Sequence, residues 1–237
     1  MALLKLKGIE AGYGQVQILW GIDLDVAAGE IALLLGANGV GKTTTLRTII
    51  GLLPCWHGEI LFEGEPLQKL KPSERIRRGI GYMSEIGVFP DLSILENIRL
   101  GGYFLDNAEV RRRYERLFTV FPDLAERRND MAASLSGGQR KMLGIAKALI
   151  SEPRLLLMDE PSSGLAPVFV RQVIDTLKSA VTGGTALLIA EQNVAFLEFA
   201  DRGFLIEGGR VRQSGGPAEL IESDAVKSAY FGLEQTP

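Results

Sequence analysis

The most specific chemical signal in the chain is the glycine-rich segment GANGVGKTT at residues 36–44. It matches the pattern G-x-x-x-x-G-K-[ST], and it lies between an apolar run and a run with helical character. Glycines allow consecutive backbone N–H groups to turn inward around an anion, and the positive end of a following helix adds to that attraction. The segment therefore predicts a loop that binds nucleotide phosphates, with a glycine-rich turn of no chemical consequence as the alternative.

Two side chains at the end of this loop carry its expected chemistry. Lys42 supplies a positive charge for the β- and γ-phosphates, so it is a candidate catalytic residue as well as a binding residue. The Thr43 hydroxyl is a candidate ligand of Mg²⁺. The predicted phosphate-binding residues are Gly36, Ala37, Asn38, Gly39, Val40, Gly41, Lys42, Thr43 and Thr44.

A pair of carboxylates, Asp159 and Glu160, follows the apolar run at residues 155–158. If that run is a buried strand, the pair emerges at the carboxyl edge of a sheet, where α/β proteins bind their ligands. One carboxylate can hold Mg²⁺ while the next orients or deprotonates an attacking water. We therefore assign Asp159 to the metal and Glu160 to the water; a solvated strand end before a proline-containing turn is the alternative.

A third group of polar residues, Glu191-Gln192-Asn193, ends the apolar run at residues 186–190. Strands often end in polar residues simply because the turns that follow them are exposed to solvent. The other interpretation is that this polar end also faces a substrate beyond the carboxyl edge of the sheet.

The stretch at residues 134–150, SLSGGQRKMLGIAKALI, places Ser136, Gly137 and Gly138 at the start of a helical run. By the same reasoning as for the first loop, these residues predict a second anion-binding helix terminus. One chain with one phosphate loop has no obvious use for a second such terminus. We infer that it serves a nucleotide held by another chain, whereas an ordinary glycine-containing helix start is the alternative.

The phosphate loop, the LSGGQ segment and the LLLMDE segment, in this order, resemble ATP-binding cassette ATPases over nearly the whole chain. The resemblance implies that two such subunits sandwich two ATP molecules with Mg²⁺, each nucleotide lying between one phosphate loop and the partner's LSGGQ. Tyr13 stands where the family has an aromatic ring under adenine, with a turn tyrosine packed on its own sheet as the alternative. The residues implied to contact the partner's nucleotide are Ser136, Gly137, Gly138 and Gln139.

Three departures from the common pattern resemble one branch of this family. Gln192 stands where most members have a histidine that contacts the γ-phosphate, Glu85 replaces a glutamine, and Ala166 replaces a common aspartate. With the closing AYFGL at residues 229–233, they resemble the second ATP-binding subunit of branched-chain amino acid importers, although urea and amide importers share several of these features.

The branch resemblance implies roles for two of these residues. As a candidate catalytic residue, Gln192 can donate a hydrogen bond to a phosphate oxygen but cannot titrate near neutral pH. Glu85 is a candidate Mg²⁺ ligand. The loop after Glu85, which begins Ile86-Gly87, is one residue shorter than in similar chains, and this bears on how it docks with a membrane partner.

The elements that must position these residues alternate between strand and helix patterns. They predict an α/β fold: a P-loop NTPase (RecA-like) core with an N-terminal antiparallel β-region and an inserted helical subdomain at about residues 86–150, all in one domain over residues 1–237. Strands are predicted at LLKLKGI, QILWGIDLDV and residues 30–36, 58–62, 154–160, 185–191 and 204–209. Helices are predicted from Lys42, at 71–78, at 168–181, after Gln192 and within 217–231.

Composition limits the classes of function that remain. A net charge of −3 gives no overall attraction to nucleic acid, and the arginines of RRRYER at 111–116 are interleaved with acids, as on a solvated helix face. The single cysteine, Cys55, excludes an internal disulfide, and one histidine, His57, excludes a multi-histidine metal site. No apolar run approaches the ~20 residues needed to span a bilayer.

We therefore expect a peripheral ATPase on the cytoplasmic face of the inner membrane that powers uptake of branched-chain amino acids. Its expected partners are a second ATPase subunit, either a paralogue or itself, two transmembrane permease subunits and, indirectly, a solute-binding protein, with no nucleic acid. The alternatives are the ATPase of a urea or amide importer, a soluble cassette ATPase acting on nucleic acid or ribosomes, and a non-catalytic regulatory subunit.

Overall fold

A computed structural model describes residues 2–181, 184–223 and 226 of the 237-residue chain. Its strands form two sheets, and its helices cover both faces of the larger one. The strands are β1 Ala2–Tyr13, β2 Val16–Ala27, β3 Ile31–Leu35, β4 His57–Phe62, β5 Glu65–Pro66, β6 Ile80–Met83, β7 Leu155–Asp159, β8 Ala186–Glu191, β9 Arg202–Glu207 and β10 Arg210–Gly215. The helices are α1 Lys42–Ile50, α2 Pro72–Arg77, α3 Ile94–Gly101, α4 Asn107–Val120, α5 Pro122–Glu126, α6 Gly137–Leu149, α7 Pro167–Val181 and α8 Pro217–Glu222.

The larger sheet has the order β10-β9-β3-β8-β7-β6, and all its neighbouring strands run parallel except the edge pair β9 and β10. The position of strand β3 between two hydrophobic cores explains why its sequence is continuously apolar. Leu33 and Leu35 pack into one hydrophobic core, while Ala32 and Leu34 pack into the other. A strand covered on both faces needs apolar residues at every position, which is the pattern of a buried parallel sheet.

The smaller sheet, β2-β1-β4-β5, is antiparallel and packs over α1 and one face of the larger sheet. Its long first hairpin alternates buried and exposed residues, because only one face meets the core. Helices α3 to α6 lie between β6 and β7 in the chain and contribute to the core on the opposite face. This is the α/β architecture that the sequence predicts, with an N-terminal antiparallel sheet and a helical insertion.

The structure corrects some details of the elements. Strands β6 and β10 were not predicted, and the helix predicted after Gln192 is a 3₁₀ helix, Val194–Phe199. The helix expected within residues 217–231 is described only as α8, and AYFGL lies outside the described residues. In the part of the chain that the structure describes, no helix is both long enough and apolar enough to cross a membrane.

Candidate functional site

The polar ends of three adjacent strands lie at one edge of the larger sheet. Strand β8 lies between β3 and β7, with Leu35 beside Glu191 and Asp159 beside Ala190 in the parallel register. The phosphate loop leaves β3, the acidic pair ends β7 and Gln192 follows β8. The fold therefore brings together at one edge the three segments that the sequence singled out separately.

Two glycines of the phosphate loop occupy positions that no other residue fits. Gly36 has φ +154°, and a Cβ there would lie 2.5 Å from the carbonyl oxygen of Ile206. Gly41 has φ +111° at the N-cap of α1, and its Cβ would lie 2.7 Å from the Leu19 side chain. The loop shape thus requires glycine on steric as well as conformational grounds, and it delivers the chain into the N-terminus of α1.

Lys42 lies buried at the start of α1, with its amine turned back across the loop. Nζ donates to the carbonyl oxygens of Gly36, at 2.8 Å, and of Ala37, at 3.0 Å, and it lies 3.6 Å from Oε1 of Glu160. Burial lowers the pKa of Lys42, and the charge of Glu160 opposes that effect. The structure thus places the candidate catalytic lysine against the candidate catalytic carboxylate.

Thr43 and Asp159 form the oxygen pair that could hold a metal. The threonine hydroxyl donates to Oδ1 of Asp159 at 2.8 Å, and burial raises the pKa of that carboxyl while this hydrogen bond opposes the rise. Mg²⁺ is commonly bound by one or two protein oxygens together with substrate phosphates and water. A hydroxyl and a carboxylate beside a phosphate loop fit that donor set. Among the described residues, no cluster of three or more Cys, His, Asp or Glu side chains forms a metal site.

The third candidate metal ligand, Glu85, is engaged elsewhere. Its Oε1 accepts a hydrogen bond from the Ser163 hydroxyl at 3.3 Å, and its charge adds to the rise in the pKa of Asp159. The structure therefore sets the Glu85 carboxylate against the loop after β7, and among the described residues no hydrogen bond joins it to Thr43.

Glu160 has an unusual backbone for a non-glycine residue, with φ +48°. Its N–H donates to the carbonyl oxygen of Ala190 at 2.9 Å, and its own carbonyl accepts from Ser163 N–H at 3.1 Å. Left-handed backbone at a non-glycine residue persists only when its surroundings fix it, and such residues concentrate at functional sites. In this conformation Oε1 of the carboxylate lies 3.6 Å from the Lys42 amine, at the end of the phosphate loop.

Sequence reasoning missed a role for Glu191, whose carboxylate links two loops of the site. Although only 1% exposed, it accepts from the backbone N–H of Ser162 at 2.8 Å, of Gln192 at 3.2 Å and of Asn193 at 3.3 Å. Burial raises its pKa, and the hydrogen bond from Ser162 opposes the rise. The available signal was a carboxylate directly continuing a buried apolar strand, since such a group needs several donors to be tolerated there.

Gln192 follows directly, with an exposed side chain that makes no hydrogen bond to any described residue. Its backbone N–H is held by Glu191, so the loop is fixed while the amide stays available to a ligand.

Tyr13, at the end of β1, is 42% exposed, and its hydroxyl accepts from Arg47 of α1 at 3.4 Å. The structure therefore places Tyr13 within reach of the helix that begins at the phosphate loop.

The LSGGQ segment begins α6, as predicted, but lies apart from the Lys42 site. Ser136 is the N-cap: its Oγ accepts from Gln139 N–H at 3.3 Å, and Gln139 Oε1 accepts from Ser136 N–H at 3.1 Å. Gly137 is exposed, and a Cβ there would meet nothing within 4 Å, whereas Gly138 is buried under Phe169. Within the described residues, no hydrogen bond joins this helix start to Lys42, Thr43 or Asp159.

Comparison with known proteins identifies the family. The profile of the ABC transporter family matches residues 19–163, a span that includes the phosphate loop, the LSGGQ segment and the acidic pair. The chain belongs to the ABC transporter family. Membership makes this ABC subunit an ATP-binding protein and an ATPase, which confirms the predicted family, fold class and activity.

Relatives cover the full length of this ABC subunit. It is 37% identical to the high-affinity branched-chain amino acid transport ATP-binding protein BraG of Pseudomonas aeruginosa, over 97% of the chain and 100% of the relative. It is 33% identical to the probable branched-chain amino acid transport ATP-binding protein LivF of Archaeoglobus fulgidus, over 98% of the chain and 99% of the relative. The lipopolysaccharide export ATP-binding protein LptB of Escherichia coli is 32% identical over 98% of both chains.

Solved structures agree on the fold of the ABC subunit. The ADP conformation of an ATP-binding cassette of an ABC transporter superposes with a TM-score of 0.88 at 23% identity, covering 98% of this chain and 99% of that one. A dimeric post-hydrolysis cassette bound to ADP and phosphate superposes with a TM-score of 0.80 at 25% identity, covering 90% of this chain and 98% of that one.

Proposed function

We propose that this ABC subunit hydrolyses ATP to power uptake of branched-chain, hydrophobic amino acids. The observation that carries the solute class is the full-length similarity to BraG and LivF, at 37% and 33% identity. Export is the second candidate, since LptB matches over 98% of both chains at 32% identity. Urea or amide uptake remains a third candidate, because the ATPase does not itself contact the solute.

Within one subunit, the proposed chemistry uses the edge of the larger sheet. The phosphate loop and Lys42 bind the phosphates, and Tyr13 stacks on the base. Thr43 and Asp159 would hold Mg²⁺, which supplies charge neutralisation on the phosphates when bound. Glu160 orients the attacking water and accepts its proton, and Gln192 donates a hydrogen bond to the terminal phosphate.

The complete site is proposed to need a second ATPase subunit. The helix start at Ser136 is exposed and, in the described residues, is not hydrogen-bonded to Lys42, Thr43 or Asp159 of its own chain, so it is available to a nucleotide held by another subunit. The solved cassette that is dimeric and bound to ADP and phosphate supports the pairing of two ATPase subunits. ATP binding would close the dimer and hydrolysis would reopen it.

A groove between the sheet core and the helical insertion is the candidate docking site for a membrane partner. The groove has a volume of about 280 Å³, and its walls include Leu52, Tyr82, Leu100, Tyr103 and Phe104. Tyr103 is 76% exposed, and several of its neighbours also present apolar surface. A clustered apolar surface of this kind is typical of a site that takes a segment of another protein. We propose that it takes a segment of the transmembrane permease subunits, which would hold the ATPase at the cytoplasmic face of the membrane.

The test of the proposed chemistry is Glu160→Gln in the full-length chain. ATP binding, measured with a fluorescent ATP analogue, should be retained, while steady-state phosphate release falls by roughly 100-fold or more, the usual contribution of a general base. Glu63→Gln is the matched control, since Glu63 is an exposed glutamate with φ +53° outside the site. Unchanged turnover in Glu160→Gln would remove Glu160 from its role.

The test of the transport class is copurification and reconstitution. Affinity-tagged subunit extracted from its native membranes should carry two hydrophobic proteins with it, and Tyr103→Asp should release them while leaving the nucleotide site intact. The copurified complex, reconstituted in vesicles with its solute-binding protein, should accumulate leucine, isoleucine or valine in an ATP-dependent manner. Accumulation of urea instead, or lipid extraction, would contradict the proposal.

A further inference from the structure

Lys141, on the second turn of α6, joins three segments of the candidate site through one side chain. Its Nζ donates to the carbonyl oxygen of Glu85 at 2.9 Å and to the carbonyl oxygen of Glu160 at 3.0 Å. Glu85 follows β6 and Glu160 follows β7, which are neighbouring parallel strands. The lysine therefore reaches from the helix that begins at Ser136 to the ends of two strands.

The contact at Glu160 is significant because that residue has left-handed backbone, with φ +48°. Left-handed backbone is unfavourable for a non-glycine residue, so the surrounding contacts must hold Glu160 there. Its N–H is fixed by Ala190, and its carbonyl is fixed by two donors, Ser163 N–H and the Lys141 amine. Of these contacts, only the one from Lys141 comes from the helical insertion.

The charge of Lys141 also suits this location. Burial lowers its pKa, and the negative charges of Glu85, Glu191, Glu160 and Asp159, in decreasing order, oppose the shift. The Lys141 ammonium group therefore lies in a negatively charged surrounding, half-buried and hydrogen-bonded to two carbonyl oxygens. An apolar side chain of similar length would fill the same space but would supply neither the hydrogen bonds nor the charge.

We propose that Lys141 is a positioning residue that fixes the backbone of Glu160, and with it the direction of the water-orienting carboxylate, relative to the helix that carries the LSGGQ segment. The inference rests on the proposed role of Glu160. The contact crosses from the helical insertion to the sheet core, so Lys141 links the helix that carries the LSGGQ segment to the backbone of Glu160.

The test compares Lys141→Met with Lys147→Met in the full-length chain. Lys147 is the matched control, because it is a half-buried lysine of the same helix whose Nζ donates to the carbonyl oxygen of Gly87 at 3.0 Å rather than to Glu160. Lys141→Met should lower kcat by about 10- to 100-fold, as misplacement of a catalytic group does, while KM and the affinity for a fluorescent ATP analogue change by about twofold or less. Lys141→Arg should restore part of kcat, because it keeps the charge and the donors.

A double variant separates positioning from general stabilisation. In the Glu160→Gln background, Lys141→Met should cause no further loss of the residual turnover, since its effect is exerted through Glu160.

Equal kcat losses in Lys141→Met and Lys147→Met, or a proportional loss of ATP affinity, would overturn the inference. If Glu160→Gln is inactive and Lys141→Met turns over normally, the inference fails and the proposed function stands; if Glu160→Gln turns over normally, the proposed function itself fails. Lys141→Gln gives the same comparison should Lys141→Met fail to fold.

Discussion

The Thr43 hydroxyl donates a hydrogen bond to Oδ1 of Asp159 over 2.8 Å, joining the first turn of α1 to the tip of β7. The two residues are 116 positions apart in the chain, and only the parallel register of β3, β8 and β7 brings them together. Both offer hard oxygen atoms, which suit Mg²⁺ better than nitrogen or sulfur ligands would. This contact is the part of the site on which the proposed metal binding depends.

Thr43→Val should therefore weaken ATP binding only when Mg²⁺ is present. The substitution keeps the shape of the side chain and removes the oxygen, and one lost bond to a charged group corresponds to about tenfold in affinity. Titration with a fluorescent ATP analogue, in Mg²⁺ and in a chelator, measures the difference. Thr48→Val is the control, because the Thr48 hydroxyl donates to the carbonyl of Thr44 within the same helix. An equal loss in chelator would contradict metal binding by Thr43.

Lys42→Met should weaken ATP binding without lowering the stability of the chain. Loss of a charged contact to phosphate is expected to reduce affinity by about 10- to 100-fold. Burial lowers the pKa of Lys42, so at pH values below that pKa the buried ammonium group reduces the free energy of unfolding. Removing the charge should leave the unfolding temperature equal or higher, as measured by calorimetry. Lys7→Met, which removes an exposed lysine paired with Glu59, is the control; a fall in unfolding temperature specific to Lys42→Met would contradict this reasoning.

The sequence predicted the phosphate loop and the acidic pair because each is a local pattern. Glycine positions, a lysine and a strand ending in carboxylates are all visible within a few residues, and the sheet edge then follows from the parallel α/β pattern. The short strand β6 was missed because Ile80–Met83 includes a glycine and has only four residues. Strand β10 was missed because its residues at the edge of the sheet are half-buried or exposed, which leaves no apolar signal.

Residues that act through distant backbone groups could not be predicted in the same way. Lys141 lies on a helix with a strong motif, yet its partners are two carbonyl oxygens, and carbonyls carry no sequence signature. The orientation of Glu85 toward Ser163 also depends on a loop contact between residues 78 positions apart. Motifs therefore predicted the candidate nucleotide-binding groups, whereas the contacts that orient those groups required the fold.

Gln192→His should add a titration to the rate profile that the natural chain lacks at this position. A glutamine amide does not ionise, whereas an unperturbed histidine has a pKa of about 6.5. The profile of kcat against pH for the variant should therefore gain an inflection near neutral pH relative to the natural chain. His57→Gln, which removes the only histidine from an exposed position in the antiparallel sheet, should leave the profile unchanged. Superimposable profiles for the natural chain and Gln192→His would place residue 192 outside the reacting groups.

Glu191→Gln should change how the stability of the chain depends on pH. Burial raises the pKa of Glu191 above its usual value, so the folded chain holds this proton more tightly than the unfolded chain does. The stabilisation that results is complete below the unfolded pKa and is lost as pH rises through the folded pKa. The glutamine amide does not ionise, so the unfolding free energy of the variant relative to the natural chain should rise as pH increases above about 4.5, the usual pKa of a glutamate. Urea unfolding at several pH values measures this trend, with Glu198→Gln, an exposed carboxylate just after the same loop, as the control.

At every pH the amide also leaves one of the three backbone donors at Ser162, Gln192 and Asn193 less well satisfied, and this contribution should be a constant offset. A difference between the two chains that does not vary with pH would mean that the three backbone donors fully offset the effect of burial on the pKa of Glu191, and a difference that falls as pH rises would mean that they outweigh it.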